Sequence, residues 1–192
     1  MSGIIAGKLQ LVVTRVDLGP LVEAAVATAR AAAPHRSPAV HIELDPATGP
    51  VLGDATRLEQ VVRNLVSNAL KFTPSGGRVD VRLEAAPDRA RIVVADTGCG
   101  IPREQLGAVF EEFQQAEHPD PGRRDGLGLG LAIVRRLVGL HEGVVYAESD
   151  GPGRGARFVV ELPLADAPAP GLDRRPARRA VGAFGRALER RS

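Results

Sequence analysis

Aromatic residues are scarce in this chain of 192 residues: tryptophan is absent, tyrosine occurs once and phenylalanine occurs five times. The hydrophobic core must therefore be built from Val, Leu, Ile and Ala. The scarcity also leaves little material for stacking bases in the way single-strand-binding proteins do. With 44% apolar and 25% charged residues, the composition excludes a disordered or fibrous protein and indicates one globular domain with a little extra chain.

Cysteine and long apolar runs are also nearly missing. Cys99 is the only cysteine, so no intramolecular disulfide can form, which suits a reducing cytosol. No apolar run approaches the roughly 18 residues that cross a bilayer, and the first residues, Met1-Ser2-Gly3, do not open a secretory signal. We therefore expect a cytoplasmic protein without a membrane span.

Positive charge is concentrated at the C-terminal end of the chain. The formal net charge is +2, but residues 165–192 hold seven Arg against three acidic residues, so the rest of the chain carries −2. The pI of about 9.2 therefore reflects this segment, whose Pro/Ala/Arg-rich composition predicts a disordered tail. Binding of nucleic acid or of an acidic membrane by its arginines is the less favoured alternative.

Helical and strand patterns alternate along the remaining chain. The predicted strands are 9–16, 40–44, 78–86, 90–96, 144–148 and 157–162, and the predicted helices are 18–33, 55–72, 103–110 and 129–140. Asp17 and Asp54 are placed to cap the first two helices. The hairpin spacing of the strands predicts a mixed, mostly antiparallel sheet. With three long helices on one face, the fold class is α/β, a two-layer α/β sandwich.

The helix predicted over 55–72 carries two different faces. At 100° per residue its apolar side chains fall into one core stripe, formed by Leu58, Val62, Leu65, Val66 and Ala69. A second stripe holds Asn64, Asn68 and Lys71. Asn supplies an oxygen for a hard cation and Lys a mobile positive charge, so together they can hold a metal-bound polyphosphate. From the helix alone, a plain solvated face is an equal alternative.

Two glycine-rich segments accompany this helix. Asp96-Thr97-Gly98-Cys99-Gly100 follows an apolar strand, where glycine permits close approach of a ligand and the carboxylate can accept from an exocyclic amine; a simple turn is the alternative. Residues 126–131, with the sequence GLGLGL, open the last helix, where free N–H groups attract anions. They lack the Gly-Lys-Ser/Thr of a P-loop and the spacing of a Rossmann fingerprint. A loop without ligand is the alternative there.

Taken in order, these segments resemble the ATP-binding catalytic domain of bacterial sensor histidine kinases, part of the gyrase/Hsp90/histidine-kinase/MutL superfamily. Residues 57–74 are similar to its N box, residues 96–100 to its G1 box, residues 110–113 to its F box and residues 126–131 to its G2 box. The similarity runs from about residue 9 to residue 164. It implies a Bergerat-type fold with a flexible ATP lid.

The resemblance also implies a role for each matching residue. Asn68 would bind Mg²⁺, Asn64 would line the phosphate pocket and Lys71 would neutralise phosphate charge. Asp96 would accept a hydrogen bond from the adenine amino group, and Arg124 would reach the γ-phosphate from the lid. Asn64, Lys71 and Arg124 are the implied catalytic residues. The other implied ATP-binding residues are Gly98, Gly100, Ile101, Phe113, Gly126, Leu127, Gly128, Leu129, Gly130 and Leu131.

Some positions depart from the family pattern. Glu112 replaces a frequent Pro between Phe110 and Phe113, the implied anchors of the lid, and Leu127 stands where Thr or Ser is common. Ala156 lacks a hydroxyl that the family often places near the adenine. Asn64 is not such a departure, but at its place the hydrolytic members of the wider superfamily carry a Glu that activates water as a general base. Because Asn cannot accept a proton, the sequence favours phosphoryl transfer, achieved by positioning and charge neutralisation.

The phosphoacceptor motif of the family is absent. None of His35, His41, His118 and His141 has the required acid, basic residue and Thr-Pro after it, so we expect each to be structural or exposed. Residues 1–16 are then a residual linker strand after a missing dimerisation domain, residues 17–164 the catalytic domain and residues 165–192 the tail.

The phosphate would therefore pass to a histidine-containing dimerisation domain or another kinase chain, and from there to a response regulator. The alternatives are a non-catalytic ATP-binding decoy module and an anti-sigma-type serine kinase.

Overall fold

Three helices and seven strands make up the computed structural model, which describes residues 10–33, 38–111 and 129–167. The helices are α1 (Leu18–Ala31), α2 (Ala55–Phe72) and α3 (Gly130–Leu140). The strands are β1 (Thr14–Val16), β2 (Ala39–Leu44), β3 (Val51–Gly53), β4 (Arg78–Ala85), β5 (Arg89–Asp96), β6 (Val144–Glu148) and β7 (Ala156–Pro163). Among these residues, no helix is both long enough and apolar enough to cross a membrane.

Five strands form one sheet in the order β2-β4-β5-β7-β6, in which β2 and β4 run parallel and all other neighbours run antiparallel. Alternate residues of β4, namely Val79, Val81 and Leu83, are buried in the same core cluster as the apolar residues of the helices. Charged residues occupy the intervening positions. The predicted two-layer α/β sandwich with a mostly antiparallel sheet is therefore confirmed.

Helix α2 forms where its sequence predicts it, because a cap and an apolar stripe coincide. The Asp54 carboxylate accepts a hydrogen bond from the backbone N–H of Arg57 at 3.1 Å and so caps the first turn. All five residues of the predicted core stripe are buried, whereas Asn64, Asn68 and Lys71 are half-buried. The helix thus separates a packed face from a partly open polar face.

The structure corrects two predicted elements. Residues 103–110 form successive turns instead of a helix, with Gln105 N–H bonded to Pro102 C=O and Ala108 N–H to Gln105 C=O. Gly107 weakens a helix at this place because glycine loses the most backbone freedom on ordering. The strand predicted over 9–16 is only three residues long, and residue 9 lies outside the described part of the chain.

Strand β3 was not predicted, because its three residues are too few to show an alternating pattern. It pairs antiparallel with β1, and the two strands form a separate ribbon beside the main sheet. Helix α1 also ends two residues earlier than predicted, at Ala31. The remaining element ends agree with prediction to within one residue.

His141 joins the ribbon to α2 and α3. Its Nδ1 lies 2.7 Å from the carbonyl oxygen of Leu137, and its Nε2 accepts the backbone N–H of Asp54 at 3.0 Å. A carbonyl can only accept and an N–H can only donate, so Nδ1 carries the proton of a neutral ring. His141 is 5% exposed and therefore structural, and His41 on β2 is exposed. Both agree with prediction, while His35 and His118 lie outside the described residues.

Replacing His141 with Phe is expected to lower the free energy of unfolding by about 2 kcal/mol, since the buried N–H of Asp54 loses its acceptor. Urea denaturation followed by circular dichroism measures the change. The matched control is His41→Phe on an exposed position of β2, where we expect a change below about 0.5 kcal/mol. Equal stability of the two variants would contradict the structural role of His141.

Candidate functional site

Asp96 is the last residue of β5, and its carboxylate is held by hydrogen bonds from backbone N–H groups. One oxygen, Oδ1, accepts the N–H of Gly98 at 2.8 Å and the N–H of Ala156 at 3.2 Å. Burial raises the pKa of the Asp96 carboxyl above its usual range, and the two N–H groups partly oppose that rise. Among the described residues nothing donates a hydrogen bond to the second oxygen, Oδ2. The carboxylate is thus oriented by the protein and has one acceptor to offer to an external donor.

The turn after Asp96 packs backbone against backbone. A side chain at Gly98 would collide with the carbonyl oxygen of Phe72 at the end of α2, and one at Gly100 with that of Gly151. Gly100 also has a φ of 69°, a conformation that L side chains rarely adopt. Glycine is therefore required at both positions. The requirement comes from the protein's own packing at Gly98 and from packing and conformation together at Gly100.

The loop between β6 and β7 covers this turn from the other side. Gly153 N–H donates to Cys99 C=O at 2.7 Å, and Gly155 N–H donates to Gly98 C=O at 3.2 Å. On the α2 side, Cys99 N–H donates to the carbonyl of Phe72 at 3.2 Å. The segment 96–100 is therefore clasped between the end of α2 and residues 149–155.

The polar face of α2 reaches the start of α3. Asn64 Nδ2 donates to the backbone carbonyl of Gly130 at 3.2 Å, a contact between residues 66 positions apart. Leu129 at the N-cap of α3 makes no side-chain capping bond, so within the described residues this cap leaves the N–H groups of the first turn unsatisfied. A Cβ at Gly130 would meet nothing within 4 Å. Among the described residues, the helix start thus has free space beside Gly130, and the N–H groups of such a helix start can receive an anion.

Asn68 and Lys71 continue the same polar face toward the turn that follows β5. Both side chains are half-buried, and Lys71 Nζ lies 5.2 Å from the centre of the Phe72 ring. The described residues contain no group of three or more His, Cys, Asp or Glu that could hold a metal ion by itself. A hard cation at Asn68 would therefore need most of its oxygen ligands from a bound molecule and from water.

Of the other residues predicted for the site or its lid, some lie in the described part of the chain and some lie outside it. Ile101 and Leu131 are half-buried and pack against the core, and Leu129 directly precedes α3. Phe110 is 7% exposed and meets Phe158 edge to face, with ring centres 6.1 Å apart. Five predicted residues lie outside the described part of the chain: Phe113, Arg124, Gly126, Leu127 and Gly128.

Sequence reasoning missed the contribution of residues 149–155. Ser149 Oγ accepts the N–H of Ile101 at 3.0 Å, which ties the β6–β7 loop to the end of the 96–101 segment. The alternating glycines 151, 153 and 155, all with positive φ, were the available signal, because such a run predicts an unusual loop conformation. Nothing local indicates which other segment that loop contacts.

Comparison with known proteins identifies the family. The family described as histidine kinase-, DNA gyrase B- and HSP90-like ATPases matches residues 53–166, more than half of the chain. Hybrid signal transduction histidine kinase D of Dictyostelium discoideum is 32% identical over 195 residues, which cover 85% of this chain and 13% of that protein. The chain thus spans only a small part of that relative.

Comparison with solved structures supports the same family. The mycobacterial sensor histidine kinase MprB has a TM-score of 0.67 and 32% identity, covering 80% of this chain and 99% of that one. Full-length ShkA in complex with AMPPNP has a TM-score of 0.71 and 33% identity, covering 86% of this chain and 34% of that one. The clasped turn after Asp96 and the open start of α3 therefore lie in a chain that belongs to the histidine kinase-, DNA gyrase B- and HSP90-like ATPases, as an ATP-binding catalytic domain of the sensor histidine kinase type.

Proposed function

We propose that this chain binds Mg²⁺–ATP and transfers the γ-phosphate to a histidine on a separate domain or chain. The observation that carries the proposal is that α2 contacts both ends of the candidate site. Its C-terminal carbonyl holds the turn that follows Asp96, and its Asn64 holds the start of α3. One end of the site thus offers a carboxylate oxygen, and the other offers a polar helix face beside an uncapped helix start.

The residues present fit an adenine at the Asp96 end. The oxygen of Asp96 that is left without a partner in the described structure suits the exocyclic amino group, and backbone packing at Gly98 and Gly100 holds the turn beside it in place. The similar ShkA structure is described as a complex with AMPPNP, which supports a nucleotide here. Gly98, Gly100 and Ile101 would shape this end of the pocket.

The residues of α2 and α3 fit a triphosphate. Asn64, Asn68 and Lys71 would line one side of it, and the backbone of Leu129, Gly130 and Leu131 would receive phosphate oxygens on the other. Mg²⁺ held by Asn68 and the phosphates would neutralise charge on the triphosphate. In the same proposal, Arg124 would reach the γ-phosphate, the backbone of Gly126, Leu127 and Gly128 would wrap the phosphates, and Phe113 would anchor the base of the lid.

Asn64 favours transfer to an amino acid over hydrolysis. A ring nitrogen of the partner histidine attacks the γ-phosphorus, the bond from that phosphorus to the β–γ bridging oxygen breaks, and ADP leaves. The Asn64 amide donates to Gly130 and cannot take a proton from water. This chain then contributes orientation and charge neutralisation while the partner supplies the nucleophile.

The same proposal assigns residues 1–16 to a linker that follows a dimerisation domain, residues 17–164 to the catalytic domain and residues 165–192 to a tail. Arg15 in the linker forms a two-bond ion pair with Asp166, with both distances 2.9 Å. The linker and the first residues of the tail therefore meet beside the β1–β3 ribbon.

The proposed location is the cytoplasm, which supplies ATP, and the final phosphate recipient is a response regulator.

The test mixes the purified chain with separately purified histidine-bearing dimerisation domains and γ-labelled ATP. We expect label that is lost in acid and stable in base, on the acceptor only, and no label on an acceptor whose histidine is replaced by Gln. Binding of Mg²⁺–ATP without transfer to any acceptor would overturn transfer and favour a non-catalytic module. Acid-stable label on a serine-bearing antagonist protein would assign the chain to the serine kinases.

A further inference from the structure

We propose that Ser149 is a positioning residue of the nucleotide site, whose hydroxyl orients the peptide group that holds Asp96. The inference rests on the proposed function, since it concerns the adenine end of the same site. Ser149 lies outside all four sequence boxes, at the beginning of the β6–β7 loop. It is half-buried, and its side chain points into the clasp between that loop and the 96–101 segment.

The Ser149 hydroxyl uses its full bonding capacity within this clasp. It donates to the carbonyl of Gly155 at 2.6 Å and accepts the N–H groups of Ile101 at 3.0 Å and Gly151 at 3.2 Å. One hydroxyl can donate once and accept twice. A single small side chain thus fixes the two ends of the loop to each other and to the end of the turn.

A single peptide group connects Ser149 to Asp96. The carbonyl that Ser149 holds belongs to the same peptide as the N–H of Ala156, which donates to Asp96 Oδ1 at 3.2 Å. Gly155 has a φ of 71°, and without a Cβ this residue has little intrinsic resistance to rotation of the peptide. The hydroxyl therefore acts together with the antiparallel pairing of Ala156 with Asp96 to fix the direction of the N–H, and hydrogen bonds in such a series strengthen one another.

The opposite end of the turn depends on the same hydroxyl. Ile101 N–H is bound by Ser149, and Gly100 lies so close to Gly151 that no side chain fits between them. Without the hydroxyl, the turn and the loop lose their side-chain connection at this end. The backbone bonds from Gly153 and Gly155 to the turn remain, so the expected effect is a looser relation between the acceptor oxygen of Asp96 and the backbone around it, which weakens binding of a flat, polar base.

The expected result is that Ser149→Ala binds ADP about 10-fold more weakly than the wild type, the effect of losing roughly one buried hydrogen bond. Because the change lies at the adenine end, the factor should be the same with Mg²⁺ and with EDTA. Ser149→Thr keeps the hydroxyl and should restore affinity to within about 3-fold, whereas Ser149→Cys, a weak donor, should not. Isothermal titration calorimetry measures all four proteins.

The control for general destabilisation is Val26→Ala, which removes two methyl groups from a fully buried position in α1 and is expected to lower the melting temperature without weakening ADP binding. Wild-type affinity in Ser149→Ala, an equal loss in Val26→Ala or failure of Ser149→Thr to rescue would overturn the role of Ser149. If the wild type takes up no ADP, the proposed function itself fails.

Discussion

Replacing Asp96 with Asn is expected to weaken ATP binding by about 100-fold, because a donor then replaces the acceptor that faces the base. Oδ1 must keep accepting from Gly98 and Ala156, so the amide nitrogen takes the place of Oδ2. That nitrogen would point its hydrogens at the amino group of adenine, but it suits the carbonyl oxygen of guanine. The preference for ATP over GTP should therefore fall. A binding competition between the two nucleotides measures this preference.

Protein stability should move in the opposite direction. Burial raises the pKa of Asp96 in the folded chain, so the ionised carboxylate opposes folding, and this cost appears as the pH rises through that pKa. The neutral Asn is therefore expected to raise the melting temperature at pH 7 while binding is lost. ATP binding by the wild type should weaken in acid at a pH above the usual range for Asp, because binding needs the ionised form.

The matched control is Asp88→Asn in the exposed β4–β5 turn, which makes the same chemical change away from the site. We expect its affinity for ATP to stay within about 2-fold of the wild type, as is usual for surface substitutions. Unchanged ATP affinity in Asp96→Asn would remove Asp96 from the site.

The second large effect is expected at Asn68, where Asn68→Ala should lower Mg²⁺–ATP affinity by about 100-fold and abolish phosphotransfer. The reason is that the described residues offer no cluster of His, Cys, Asp or Glu to hold the cation in its place. Calorimetry in the presence of Mg²⁺ and in the presence of EDTA distinguishes an effect on metal binding from an effect on adenine binding. ADP binding in EDTA should be nearly unchanged, since Asp96 and its turn are intact.

Two variants make the Asn68 result interpretable. Ser67→Ala on the exposed side of α2 should bind Mg²⁺–ATP like the wild type, which controls for the helix. Asn68→Asp restores an oxygen ligand of higher charge and should recover Mg²⁺-dependent binding at least in part. A loss of equal size with and without Mg²⁺ in Asn68→Ala would contradict a role in metal binding.

Much of the fold was predictable because it is encoded over short distances. The core stripe of α2 follows from a periodicity of 100° per residue, and Asp17 and Asp54 cap helices only a few positions away. The β4–β5 hairpin was readable for the same reason. The same reasoning gave a wrong prediction for residues 103–110. They contain helix-forming residues, but their local hydrogen bonds close single turns around Gly107 and do not continue as a helix.

The chemistry of the candidate site was predictable in kind, and its assembly was not. Carboxylate, amide, ammonium and glycine are visible in the sequence, and their order indicated the family. The roles of Ser149 and His141 were hidden because their partners lie 48 and 87 positions away. No periodicity or capping rule extends over such distances.

The sequence by itself therefore determined most of the helices and strands and which side chains are available for binding a nucleotide, because these depend on neighbours within a few residues. Only the tertiary structure decided that α2 contacts both the turn after Asp96 and the start of α3, and that the β6–β7 loop holds the Asp96 carboxylate. The physical reason is that packing of the sheet against the helices brings together backbone groups that are remote in the chain. Their hydrogen bonds form only once that packing is in place.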